Sequence, residues 1–225
     1  MEISSIQAKG IFFYARVRAR IVRSAPACRQ AGSSGIRIAL IFSAFFVLAS
    51  RPAFSDSIRN FKIDAAKKIA AERKPGAKDQ LQSMLGGEND PFVRAAVIDS
   101  ISAVCPQDCV STFQASLVDS DPLVRSEAVQ ALGNSGDKAA VALLIRALLD
   151  DNNEGVRMAA AFWLGGLEDS SAIAPLEDAL TGDLDPHVRA ACASALKRFD
   201  TPASAAALKK AQDDDDERVQ KAANE

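Results

Sequence analysis

Histidine, tyrosine and tryptophan are nearly missing from this chain of 225 residues, each occurring once, and aromatics of every kind make up only 6%. The single histidine, His187, has no cluster of acids or cysteines near it in sequence. That leaves no recognisable metal-ligand set and no imidazole base paired with a nucleophile. There is no Gly-rich phosphate loop, no CxxC pair, and no apolar run of the ~20 residues that a bilayer span requires. Basic residues are scarce in the body of the chain. Residues 1–55 hold eight Lys/Arg against one acid, which leaves 19 basic and 28 acidic residues in 56–225 and a formal charge of −9 there. Binding to phosphate backbones needs Lys/Arg clusters, so no nucleic acid partner is expected. No catalytic residue, cofactor or metal is expected either.

What the chain does have is alanine, within a composition that is 48% hydrophobic and 25% charged. Ala-rich, aromatic-poor sequences favour closely packed helices over sheets. Ahead of that body, residues 38–50 form an apolar run preceded by Arg37 and other basic residues, and Ala53 and Ser55 supply small side chains just after it. This is the pattern of a signal peptide. Residues 1–55 are therefore read as a leader cleaved after Ser55, with no stable membrane anchor left behind. The protein is expected in the periplasm or outside the cell, within the bacterial envelope.

Residues 56–225 are dominated by a repeat. Asp90-Pro91-Phe92-Val93-Arg94 returns as Asp121-Pro122-Leu123-Val124-Arg125, as Asn153-Glu154-Gly155-Val156-Arg157 and as Asp185-Pro186-His187-Val188-Arg189. Phe61-Lys62 and Val219-Gln220 are degenerate copies of the Val-Arg pair, and the period is 31–32 residues. Asp before Pro is a helix start, with Asp capping free N–H groups and Pro suiting the first helical position. Apolar residues then recur at helical spacing, as in Val124, Ala128, Ala131 and Leu132, or Val188, Cys192, Ala195 and Leu196. Gly133 and Gly165 follow where such a helix is expected to stop. A second helix carries Leu144 and Leu148, or Leu176 and Leu180. The expected fold is all-α, an α-solenoid of stacked helical hairpins. It comprises about five units (57–88, 89–119, 120–151, 152–183 and 184–215) and a terminal half unit at 216–225. Each hairpin buries its apolar stripe only against its neighbours.

The run Asp121-Pro122-Leu123-Val124-Arg125-Ser126-Glu127-Ala128-Val129-Gln130-Ala131-Leu132-Gly133 resembles a HEAT-like repeat, of the short variety named after phycobilisome lyases. The resemblance spans 57–225. It implies a stacked-helix fold, and it implies much less about function, because repeats of this kind serve scaffolds, adaptors and a few enzymes. A diiron hydroxylase similar to this family would need recurring His–Glu pairs, which the sequence lacks. The expected role is a non-enzymatic scaffold or adaptor, monomeric, that holds a protein partner on a curved helical face. The alternative is an enzyme or maturation factor similar to the bilin lyases.

Four sets of residues stand out. Arg94, Arg125, Arg157 and Arg189 form a ladder, one per unit. They read either as an anion-binding stripe or, as the resemblance implies, as structural donors to acids or carbonyls at neighbouring helix ends, with Asp119, Asp151 and Asp183 at the preceding ends as partners. Cys105 and Cys109 bracket a turn. An oxidising compartment would join them there, free thiols are the other reading, and CxxxC spacing departs from that of redox centres. Cys192 sits in an Ala-type core slot. Ten residues before each later Val anchor lie Ser83, Gln114, Arg146, Asp178 and Lys209. They are polar but different in every unit, on the second-helix face that lines the inner curve in similar solenoids, and they are the candidate partner-binding residues.

Overall fold

The computed structural model describes residues 52–224, with side chains from Ser55 onward. Contacts divide the chain into Met1–Asp56 and Ser57–Glu225. The first of these enters the described residues only as the opening of one helix. The apolar run 38–50 lies outside the described residues, whereas the expected cleavage point after Ser55 falls within that helix.

Among the described residues there are eleven α-helices and no strand. Five hairpins follow one another: α1 Pro52–Glu72 and α2 Ala77–Gly86, α3 Pro91–Val104 and α4 Val110–Ser116, α5 Pro122–Ser135 and α6 Lys138–Asp150, α7 Glu154–Leu167 and α8 Ile173–Gly182, α9 Pro186–Leu196 and α10 Pro202–Ala211. A single helix, α11 Glu217–Asn224, comes after them. No helix among the described residues is long and apolar enough to cross a membrane.

The first helix of each later hairpin starts as its sequence dictates. Asp90, Asp121 and Asp185 adopt extended backbone conformations and accept hydrogen bonds from the N–H groups of Phe92, Leu123 and His187 at 3.0, 2.9 and 2.8 Å. Asn153 does the same for Val156 at 3.2 Å. Each cap satisfies donors that the first turn leaves open and contributes about 1 kcal/mol. Among the second helices, α6 starts on Asp137 and α10 on a Thr201–Ser204 capping box. Asp169 caps a short 3-10 turn, Ser170–Ala172, that leads into α8.

The Val anchors Val93, Val124, Val156, Val188 and Val219 are all buried, as are Leu81, Phe113, Leu144 and Leu176 in the second helices. Burial of each such side chain stabilises by about 1.5–3 kcal/mol. First helices pack on the first helices of the next hairpin, α3 on α5 on α7 on α9 on α11. Each second helix from α2 to α10 also packs against the first helix that follows it.

Gly133 and Gly165 do not end their helices. Helix α5 continues to Ser135 and stops at Gly136, whose φ of 63° is left-handed, and α7 continues to Leu167 and stops at Glu168, also left-handed at φ 52°. The two glycines serve packing instead. A Cβ on Gly133 would overlap the Trp163 ring, and a Cβ on Gly165 would lie 2.8 Å from the Ala195 Cα. At Gly133 the indole of the next first helix fills the space, and at Gly165 the backbone of the next first helix itself comes too close for a side chain.

Candidate functional site

The arginine ladder runs along the loops that join one hairpin to the next. Arg125 donates through Nε and Nη2 to the two oxygens of Asp151 at 2.7 and 2.8 Å, and through Nη1 to the Asp119 carbonyl at 3.0 Å. Arg157 repeats this with Asp183 at 2.7 and 2.9 Å and the Asp151 carbonyl at 3.0 Å. Arg189 pairs with Asp214 at 2.9 and 2.8 Å and donates to the Asp183 carbonyl at 3.1 Å. Arg94 pairs with Asp119 at 2.9 and 2.6 Å and donates to the Asn89 carbonyl at 2.8 Å.

The preceding ends supply carbonyls, as the sequence allowed, but the carboxylate partners lie in the opposite direction from the one expected. Each carboxylate lies at the end of the arginine's own hairpin, in the loop that follows, and the preceding loop contributes a carbonyl. The planar fork thus spans two loops at once, which a single-point ammonium could not do. The same aspartates organise their own turns, since Asp119, Asp151 and Asp183 accept the N–H groups of Asp121, Asn153 and Asp185, each at 2.9 Å. Burial works against ionising these three carboxyls, but the guanidinium and the backbone N–H outweigh it, so each stays ionised to lower pH than usual. With its donors engaged in this way, the ladder presents no free guanidinium array to an anion.

Cys105 and Cys109 are joined as a disulfide. Cys105 terminates α3 and Cys109 precedes α4, so the bond closes the hairpin turn. Cys192 is a buried free thiol, and burial, helped by the charge of Asp183, pushes its pKa up to about 12. It is therefore a poor nucleophile. The His187 ring is exposed and lies against the Arg218 guanidinium. Among the described residues no group of His, Cys, Asp or Glu is placed to hold a metal ion.

The second-helix residues behave differently. Ser83, Gln114, Arg146, Asp178 and Lys209 lie on α2, α4, α6, α8 and α10 and are all exposed. None of their side chains makes a hydrogen bond or ion pair among the described residues. One is out of register. The fully buried residues Leu81, Phe113, Leu144, Leu176 and Ala207 mark the same point on successive second helices. Two residues beyond each come Ser83, Ala115, Arg146, Asp178 and Lys209. The stretch from Phe113 to Val124 is one residue shorter than its counterparts, so counting back from the Val anchor selects Gln114 where Ala115 is equivalent. Gln114 is exposed nonetheless and faces α6 across a cleft of about 260 Å³. The cleft has Gln114, Leu117 and Val118 on one side and Leu143, Arg146 and Asp150 on the other. Sequence reasoning missed Val118, whose large apolar side chain is 83% exposed. Its signal was an apolar residue six before the Val anchor, a slot held by Asp150 and Gly182 at the ends of later second helices. The cleft is smaller than a typical pocket for a drug-sized ligand and suits a side chain or two of a peptide.

The family model described as HEAT repeats matches residues 79–162 and 145–225. No curated protein matches the chain. Among solved structures, human deoxyhypusine hydroxylase in complex with glycerol is similar at 22% identity, over 76% of this chain and 79% of that one, with a TM-score of 0.47. The complex of CpcE and CpcF of phycocyanin lyase from Nostoc sp. PCC7120 is similar at 22% identity, over 78% of this chain and 71% of that one, with a TM-score of 0.48. Likeness at these values says nothing about activity.

Proposed function

The chain belongs to the HEAT-repeat family, and on that premise we propose that it is a non-enzymatic scaffold of the bacterial envelope that holds a protein partner on the exposed face of its second helices. One contrast supports this reading. The repeated polar residues, the arginines, are bound within the protein, whereas the varied polar residues Arg146, Asp178 and Lys209 are exposed and unpaired among the described residues. Charges that the fold does not use are available to recognise something outside it, and stacked repeats present them on one extended surface. Export draws on the leader pattern in 1–55 and on the disulfide, which suits an oxidising compartment.

The test is capture of the exported protein from the envelope fraction, comparing wild type with the charge-reversed pair Arg146→Glu/Asp178→Lys. A stoichiometric protein partner should be held by the wild type and lost from the variant. Equal capture by both, or co-purification of a chromophore without a protein, would overturn the reading, and the chromophore would favour the lyase-like alternative. N-terminal sequencing of the same material tests export, with a mature chain beginning at Asp56 expected.

A further inference from the structure

Helix α4 is the weakest member of the second-helix row. It has 7 residues, the shortest α-helix among those described, and Cys109 at its N-cap makes no side-chain capping bond. Later hairpin turns are closed by Asp137, Asp169 and Thr201, each of which accepts a backbone N–H. Helix α2 also starts without a side-chain cap, after Gly76, but it runs for 10 residues. A helix of two turns is far too short to persist by its own hydrogen bonds. Among the described residues its most extensive packing is against α5, anchored by the fully buried Phe113, and one further tie runs from Gln82 of α2, which donates to the Thr112 hydroxyl at 2.8 Å. At the point where the later turns use a cap, this one has the Cys105–Cys109 bond, which ties the start of α4 to the end of α3.

We propose that this disulfide is a redox switch for the second-helix face: reduction releases α4 and dissolves the α4–α6 cleft, while the rest of the solenoid stays folded. Helix α4 and the loop after it supply one whole wall of that cleft, through Gln114, Leu117 and Val118. The later hairpins contain no disulfide and are braced by the arginine ladder, so loss of one bond in the second unit leaves them intact. The reductant is a dithiol. Its thiolate attacks the sulfur of Cys105, which is the less buried residue of the pair. The S–S bond breaks and Cys109 leaves as a thiolate that takes up a proton. The second thiol of the reagent then displaces the Cys105 sulfur, which is also protonated, and the reagent departs as its cyclic disulfide. Two electrons and two protons pass to the protein. For its bearing on binding, the inference rests on the scaffold reading; the release of α4 does not.

Amide hydrogen exchange of the full chain, oxidised and after dithiothreitol, tests it, with alkylation of Cys105 and Cys109 verifying cleavage. For a bond closing a sequence separation of 4, the loss of chain restriction predicts roughly 20- to 30-fold faster exchange across 106–118, with 154–196 unchanged. Resistance of the bond to the reagent in the folded chain would overturn the switch, and the Cys105→Ala/Cys109→Ala chain then measures the release of α4 by itself. Unchanged protection of 106–118 would overturn the inference, and so would equal acceleration along the whole solenoid. No partner enters this measurement, so its failure leaves the scaffold reading standing, and a failed capture experiment leaves the release of α4 standing.

Discussion

Gly165 and Gly166 are neighbours in α7, and the structure gives their replacement by alanine opposite signs. Helix propensity alone favours both changes, since Ala in a helix interior is better than Gly by about 1 kcal/mol. Gly166 is exposed, and the nearest atom to an added Cβ is the end of the flexible Arg198 side chain at 3.9 Å. Gly166→Ala should therefore stabilise by about 0.5–1 kcal/mol. At Gly165 the added carbon would lie 2.8 Å from the Cα, 2.9 Å from the Cβ and 3.3 Å from the carbonyl oxygen of Ala195. Carbon atoms settle at about 3.5–4.0 Å, and backbone cannot swing aside as a side chain can. Helices α7 and α9 must separate by roughly 1 Å, an overpacking cost of about 1–3 kcal/mol that exceeds the propensity gain. The net expectation is a loss of about 1 kcal/mol at Gly165, and a gap of about 2 kcal/mol between the variants, or roughly 4–8 °C in Tm for a domain of this size. Thermal melts of both variants beside wild type measure it. If Gly165→Ala raised Tm as much as Gly166→Ala, the close approach of the first helices would be refuted.

Arg157→Met should cost about 3 kcal/mol in urea denaturation, because it leaves the Asp183 carboxylate, only 8% exposed, without its counter-charge; the double variant Arg157→Met/Asp183→Asn should recover part of that loss. The ladder aspartates have carboxyl pKa values depressed by the fold. Their contribution is therefore complete above the unfolded value of about 3.9 and is lost as pH falls through the lower folded values. Acid titration followed by circular dichroism should show loss of helix below about pH 4, with Arg157→Met less steep there than wild type. Leu164→Ala, at a fully buried site, should destabilise by about 2–5 kcal/mol, whereas Leu184→Ala, at a residue 95% exposed, should leave the urea midpoint unchanged.

The hairpin stack was legible because its signals are local and repeated. Asp-Pro starts, Val anchors and the 31–32 residue period each reflect a requirement met within one unit or between adjacent ones. What the sequence concealed depends on how units are stacked in space. An acid stands at both ends of every unit, so only the stacking decides which one Arg125 grips. Gly133 and Gly165 read as helix stops because glycine usually is one. Yet the same slot of the first four units holds Ala70, Ser102, Gly133 and Gly165, with Lys197 only in the fifth, and small residues recurring at one repeat position mark close packing of the next helix. Gln114 was misplaced because the period was counted from the first helix, while the shorter connection after Phe113 shifts the second by one residue.

The ends of the ladder explain why its middle is uniform. An interior arginine has two tasks, a carbonyl behind it and a carboxylate ahead. Lys62, in the same slot of the first hairpin, pairs forward with Glu88 at 2.7 Å, and a single ammonium suffices for one carboxylate. Gln220, in the same slot of α11, donates to the Asp214 carbonyl at 2.6 Å, as Arg189 does to that of Asp183, and an uncharged amide is able to make that bond. The residue type follows the set of partners around the slot. Where that set is the same, at positions 94, 125, 157 and 189, the residue is the same. By that logic, the second-helix slots vary because, among the described residues, no set of partners inside the protein fixes them, and under the scaffold proposal the docked protein would set the use made of Ser83, Arg146, Asp178 and Lys209. Arg146→Lys should therefore leave stability unchanged in urea yet weaken capture of a partner that grips the guanidinium, while Arg125→Lys should lose stability, because an ammonium cannot span both loops.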